Sequence, residues 1–184
     1  WPSSSETTAE LQGTIVQWVD EATGETIGDE PGWVTGVCQN FNMDSVGYNS
    51  DEIPLAANEV SWAELFNESY SGRVALLADP GIALQDAANA AVALGLMEFG
   101  SLGNMTQKEM EGVFKILGEL KDKGHWRAFW ATFDESVNLM ASGEVILESM
   151  WSPAVALLVA QGIPVVYASP PEGFRGWAAG QGIS

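Results

Sequence analysis

Helix-start signals recur along this chain at spacings that leave room between them only for short apolar runs, and this alternation restricts the fold more than any other feature. Ser61-Trp-Ala-Glu64, Thr106-Gln-Lys-Glu109 and Thr132-Phe-Asp-Glu135 each place a hydroxyl three residues before a glutamate. In this capping-box pattern each side chain satisfies a free backbone N–H of the first turn. Asp79-Pro80 and Ser152-Pro153 mark two more starts, with proline at the first helical position, where its missing N–H does no harm. Five helices are expected: one from Ser61, and others over residues 80–98, 106–123, 133–142 and 152–161. Between them, residues 73–78, 145–148 and 163–168 read as buried strands, with a shorter one near 127–131. Such alternation predicts an α/β fold with a largely parallel sheet. Upstream, residues 14–19, 33–37 and 44–49 have strand character, and the turn residues 20–24 suggest a β-hairpin closing on 25–27. Residues 1–10 (WPSSSETTAE) have the polar composition of a flexible terminus, so a single ordered lobe is expected over residues 11–184.

Charge narrows the partners. Seven Lys and Arg against 25 Asp and Glu give a net charge of −18. Nucleic acid and anionic lipid surfaces are repelled by such a chain. The apolar runs near residues 87–97 and 155–160 fall short of the roughly 20 residues a membrane span needs, so direct membrane insertion is not expected. The opening residues, Trp1-Pro-Ser-Ser-Ser-Glu, have neither the basic region nor the apolar core of a secretion signal, which is expected to be absent or already removed. With one cysteine, Cys38, and one histidine, His125, neither a multi-thiolate nor a two-histidine metal site can be built, and no cofactor is expected.

In an open α/β sheet, ligands bind beyond the carboxyl ends of the strands, where loops lead into helix N-termini. Three junctions of this kind carry informative residues: Asp79-Pro80-Gly81, Ser149-Met-Trp151-Ser152-Pro153, and the loop from Ser169 to Trp177. The candidate ligand-binding residues are Asp79, Gly81, Trp151, Ser152, Arg175 and Trp177. Glycine permits close backbone approach, the indoles offer flat faces, and an arginine can hold a carboxylate or phosphate with two bonds. Each has a plain structural role as well. Asp79 can serve as a helix N-cap, Trp151 as a core filler, Trp177 as an aromatic on a sheet edge, and Arg175 can neutralise Glu172. As for catalysis, G-x-S-x-G, phosphate-loop and dinucleotide motifs are all absent. His125 sits at a helix end, where it would favour the dipole. A hydrolase or transferase using Asp79, His125 or Asp134 is the enzymatic alternative, and an acidic protein-interaction module is a third reading.

A family resemblance runs from about residue 37 to residue 184. Gly47-Tyr-Asn49, Ser61-Trp-Ala-Glu-Leu-Phe66, Tyr70-Ser-Gly-Arg-Val-Ala75, Gly143-Glu-Val145, Met150-Trp-Ser152, Gly162-Ile-Pro-Val165 and Pro171-Glu-Gly173 with Trp177 resemble, in order and spacing, the second lobe of polyamine-type (spermidine/putrescine) extracellular solute-binding proteins of ABC transporters. The resemblance implies a periplasmic binding protein type II-like lobe, a three-layer αβα unit with a mixed, mostly parallel sheet. It also implies a non-enzymatic function, capture of a small solute in a cleft between two lobes for delivery to an ABC permease, outside the cytoplasmic membrane. The other lobe is expected to be missing from this chain. Trp151 and Trp177 match aromatic positions that the family uses to sandwich the polyamine, and Asp79 matches an acidic loop position. Where the family places further carboxylates this chain has Ala83 or a neighbour and, two residues after Trp177, Ala179, which removes charge-assisted bonds that a desolvated ammonium needs. A single cationic head on the indoles, and an anionic or zwitterionic solute held by Arg175 and the helix starts at Pro80 and Pro153, therefore both stand as ligand classes.

Overall fold

The chain divides into two compact units, a larger one of Asp44–Arg175 and a smaller one of Trp1–Met43 with Gly176–Ser184. The chain passes between the two units twice. The computed structural model describes residues 18–19, 26–27 and 36–182, so the expectations for residues 1–10, 14–17 and 33–35 fall outside the described residues. In the smaller unit, β1 (Trp18–Val19) pairs antiparallel with β2 (Thr26–Ile27), Trp18 lying opposite Ile27 as the expected hairpin requires.

β3 (Gly36–Asn49) starts in the smaller unit and ends in the larger. Two 3-10 turns follow (Trp62–Phe66 and Glu68–Tyr70), then β4 (Val74–Leu77), α1 (Pro80–Ala93), α2 (Gln107–Asp122), β5 (Trp126–Trp130), α3 (Phe133–Ala141), β6 (Leu147–Met150), α4 (Ser152–Ala160), β7 (Val165–Tyr167) and β8 (Arg175–Gly182). The strand order is β5-β4-β6-β3-β7, with β8 pairing β3. β4 runs parallel to β5 and β6, and β3 runs antiparallel to β6 and β7. Four strands therefore share one direction and β3 opposes them, which is the mixed, mostly parallel sheet that the resemblance implies.

All four residues of β4 and of β6 are buried, the signature of a sheet covered on both faces. Alternation along β4 divides the core. Val74 and Leu76 pack with Trp62, Leu65 and the alanines of α1, whereas Ala75 and Leu77 pack with Val137 and Met140 of α3 and Ala154 and Leu158 of α4. The three layers follow directly: α1 on one face, α3 and α4 on the other.

Several boundaries differ from the sequence expectation, each for a local reason. The capping-box pattern at Ser61 yields a 3-10 turn rather than an α-helix. Ser61 Oγ accepts from the Ala63 N–H (2.9 Å), while Glu64 is drawn to the Asn67 amide (2.7 Å) instead of reaching back to the cap. The buried Trp62 donates its indole N–H to the Gly173 carbonyl (2.8 Å), tying this turn to a distant loop. α1 stops at Ala93, five residues short of the expectation, because Gly95 takes a left-handed φ of +64° and closes it. Arg175 and Trp177, expected in a loop, lie in β8.

Candidate functional site

The parallel strands deliver their carboxyl ends to one edge of the larger unit, and hydrogen bonds join those ends side by side. The Ala78 N–H donates to the Trp130 carbonyl (2.7 Å), linking the ends of β4 and β5. The Leu77 N–H donates to Ser149 Oγ (3.3 Å), linking β4 to β6, and the Tyr167 hydroxyl donates to the Met150 carbonyl (3.0 Å), linking β6 to β7. Three helices start from this edge, α1 after Asp79, α3 after Thr132 and α4 after Trp151.

The three starts are finished differently. Asp79 is exposed and accepts from the Ile82 N–H (2.9 Å), so its structural role as N-cap is present together with a solvent-facing carboxylate. Gly81 lies in the same first turn, where an added Cβ would sit 3.4 Å from Asp79 Oδ1. At α3, Thr132 and Glu135 form a full capping box. The N–H groups of Ala131 and Thr132 hold the Glu135 carboxyl below its usual range. At α4, the N-cap is Trp151, which makes no side-chain cap bond, and Pro153 has no N–H to offer. The half-buried Ser152 opens this helix. Trp151 is half-buried too, standing edge-on to the buried Trp130 at 5.1 Å between ring centroids and 89° between planes. It packs against the core and stays partly exposed.

Asp79, Gly81, Trp151 and Ser152 therefore share one edge, just beyond the ends of the neighbouring strands β4 and β6. Arg175 lies beneath this edge rather than on it. It is the first residue of β8 and is buried. Its Nε donates to Asp86 Oδ1 at 2.6 Å, and its terminal nitrogen pairs with Asp44 Oδ2 at 3.1 Å. Glu172, the partner expected from sequence, instead accepts from the Ser61 hydroxyl at 2.6 Å. Burial pushes the Asp86 carboxyl up to about 6 even with the guanidinium against it. Trp177 belongs to the smaller unit and is 40% exposed.

Of the residues named for the enzymatic alternative, Asp79 and Asp134 stand at helix starts on this edge, whereas His125 precedes β5 at the opposite end of the sheet. The buried His125 ring contacts the Ser71 hydroxyl through Nδ1 (3.0 Å) and the Leu65 carbonyl through Nε2 (2.8 Å), rather than serving the end of α2. Asp134 is an exposed residue in the first turn of α3. Among the described residues, no group of three or more His, Cys, Asp or Glu side chains is arranged to hold a metal, and no helix is long and apolar enough to cross a membrane.

Sequence reasoning missed the carboxylates that engage Arg175, the indole of Trp130 behind Trp151, and Glu148. Asp86 did leave a signal, as a lone acid amid Ala87, Ala88, Ala90 and Ala91, which form the buried stripe of α1. Glu148 lies fully buried in β6, where it accepts from the Ser136 hydroxyl at 2.6 Å. Burial pushes its carboxyl up to about 8.

The family model for bacterial extracellular solute-binding proteins matches residues 7–183. The chain belongs to this family. Its members are binding proteins, not enzymes. Solved structures of the same fold include an ABC transporter substrate-binding protein from Bradyrhizobium japonicum (22% identity, TM-score 0.63, 79% of this chain and 42% of that one). They also include a spermidine/putrescine ABC transporter substrate-binding protein from Streptococcus pneumoniae (20% identity, TM-score 0.60, 79% and 41%). A third is a binding protein from Agrobacterium tumefaciens in an open unliganded conformation (17% identity, TM-score 0.59, 95% and 49%). The chain thus spans less than half the length of each of these structures. No curated protein sequence matches it.

Proposed function

We propose that the chain is a lobe of the solute-binding component of an ABC transporter, working outside the cytoplasmic membrane, and that it receives a small amine, polyamine-like or zwitterionic solute at the carboxyl edge of its sheet for delivery to a membrane permease. The observation that carries this reading is the juxtaposition of a solvent-facing carboxylate, Asp79, and a partly exposed indole, Trp151, on the ends of adjacent strands. An ammonium resting on the indole face gains about 0.5–2 kcal/mol from cation–π attraction. Asp79 then supplies the formal charge that the indole lacks.

A net charge of −18 favours approach of cations over anions. With Arg175 paired to two carboxylates inside the unit, a purely anionic solute loses the arginine weighed for it. The first turn of α4, which has no side-chain cap, supports the zwitterionic version, in which the solute carboxylate takes the Ser152 hydroxyl and the adjacent helix end.

Calorimetric titration of the protein with putrescine, glycine betaine and acetate tests the proposal. Saturable heat is expected with putrescine or glycine betaine and none with acetate. Saturation by acetate alone would reverse the charge preference, and absence of saturable heat with all three would remove the transport reading.

A further inference from the structure

Beneath the rim lies a buried cluster of charge that solute binding does not use directly. Asp44 is the first residue of the larger unit and Arg175 the last, while Asp86 projects from the middle of α1. One guanidinium joins all three, Nε to Asp86 at 2.6 Å and a terminal nitrogen to Asp44 at 3.1 Å, with the three side chains at most 8% exposed. Two carboxylates on one guanidinium leave an excess negative charge in a desolvated place, which simple stability does not favour, since buried ion pairs are often no better than apolar packing. The geometry, however, specifies position well. The planar fork addresses two partners in fixed directions, which a lysine ammonium cannot do.

The surroundings are equally determinate. The Tyr167 hydroxyl accepts the Ser45 N–H at 2.8 Å while donating to the Met150 carbonyl, and the Ser45 hydroxyl donates to the Ala168 carbonyl at 2.9 Å. Ser149 lies beside Asp86 and lowers its proton affinity, opposing the effect of burial. Asp86 is two helical turns, about 10 Å along the axis, from Asp79 at the head of the same helix.

We infer that Arg175 is a positioning residue: with Asp44 and Asp86 it makes a three-point tie that fixes α1, and through it Asp79 of the rim, to both points where the chain enters and leaves the larger unit. This inference rests on the reading of the Asp79 edge as the solute rim. A rigid helix carries the tie to the rim, because displacing Asp86 moves the whole of α1 with its N-terminus.

Amide hydrogen exchange on the full 184-residue chain without solute tests the tie. Arg175→Lys keeps the charge but not the fork. Its expected result is about tenfold or faster exchange at residues 44–46 and along α1, with β4 and α3 protected as in wild type. Unchanged exchange in all segments, or an equal rise in every segment, would overturn the tie. Asp86→Asn provides a second variant that keeps the shape of the side chain and the Asp44 pair. It should loosen α1 while leaving residues 44–46 unchanged, and protection of α1 at the wild-type level would likewise overturn the tie. These outcomes are independent of the solute titrations: a protein without saturable solute heat loses the transport reading whatever its exchange pattern.

Discussion

Glu148 makes the stability of the unit fall between about pH 4.5 and pH 8 in a way that one substitution should abolish. The side chain is fully buried on the central strand β6, one oxygen bonded to the Ser136 hydroxyl at 2.6 Å and the other, Oε2, without a hydrogen-bond partner among the described residues. Burial pushes the carboxyl from its usual 4.5 to about 8, so at neutral pH the folded protein holds a proton that the unfolded chain has released. Where the folded state binds more protons than the unfolded state, stability falls as pH rises. The decline should begin near pH 4.5, continue to about pH 8 and then level off. Each pH unit across that window is worth about 1.4 kcal/mol, so roughly 3 kcal/mol is lost by pH 7. Glu148→Gln has nearly the same shape and no titrating proton. The variant should match wild type near pH 4.5 and exceed it by about 3 kcal/mol at pH 7. Urea unfolding of both proteins at intervals from pH 5 to pH 8 measures this directly, and the midpoints should separate by about 1 M or more at the alkaline end. A difference in midpoint that does not change with pH, or a glutamine variant less stable than wild type at pH 8, would show that the buried carboxyl of Glu148 does not set this pH dependence.

Gly47→Ala should destabilise the sheet by about 1–3 kcal/mol through overpacking. The new Cβ would stand 2.5 Å from Met150 Sδ and 3.2 Å from Met150 Cβ, and only the thioether end can swing aside. A lower thermal midpoint checks it. Thr106→Ala removes the cap of α2, whose capping box is complete, and should lower stability by about 1 kcal/mol. Because α2 does not start from the strand edge, solute affinity should be unchanged when the same preparation is titrated.

The parts of this fold that were legible in the sequence are those decided within a few residues. The caps at Thr106 and Thr132 form as the pattern predicts because hydroxyl, glutamate and free N–H groups all belong to one turn. The same pattern at Ser61 misleads because a remote contact, the Trp62 indole with the Gly173 carbonyl, and a second cap at Asn67 compete for that turn. β8 is illegible for a related reason. Its sequence RGWAAGQG is rich in glycine and alanine, which have little strand preference, and only pairing with β3 makes it a strand. The edge bearing Asp79 and Trp151 could be read because junctions between strands and helices are local signals. The partners of Arg175 could not, since Asp86 lies 89 residues away and nothing near Arg175 in sequence announces it. An unaccompanied acid on an alanine stripe shows that a partner must exist, without showing which one.

Asp79→Asn asks whether the edge carrying Asp79 and Trp151 receives a positively charged group of a solute. Asparagine caps a helix about as well as aspartate, so the fold should keep its urea midpoint while the carboxylate charge is removed. Titrated with whichever amine or zwitterion saturates the wild-type protein, the variant should bind at least about tenfold more weakly, the loss of a charge-assisted bond. Wild-type affinity in the asparagine variant would rule out a role for the Asp79 charge in holding the solute.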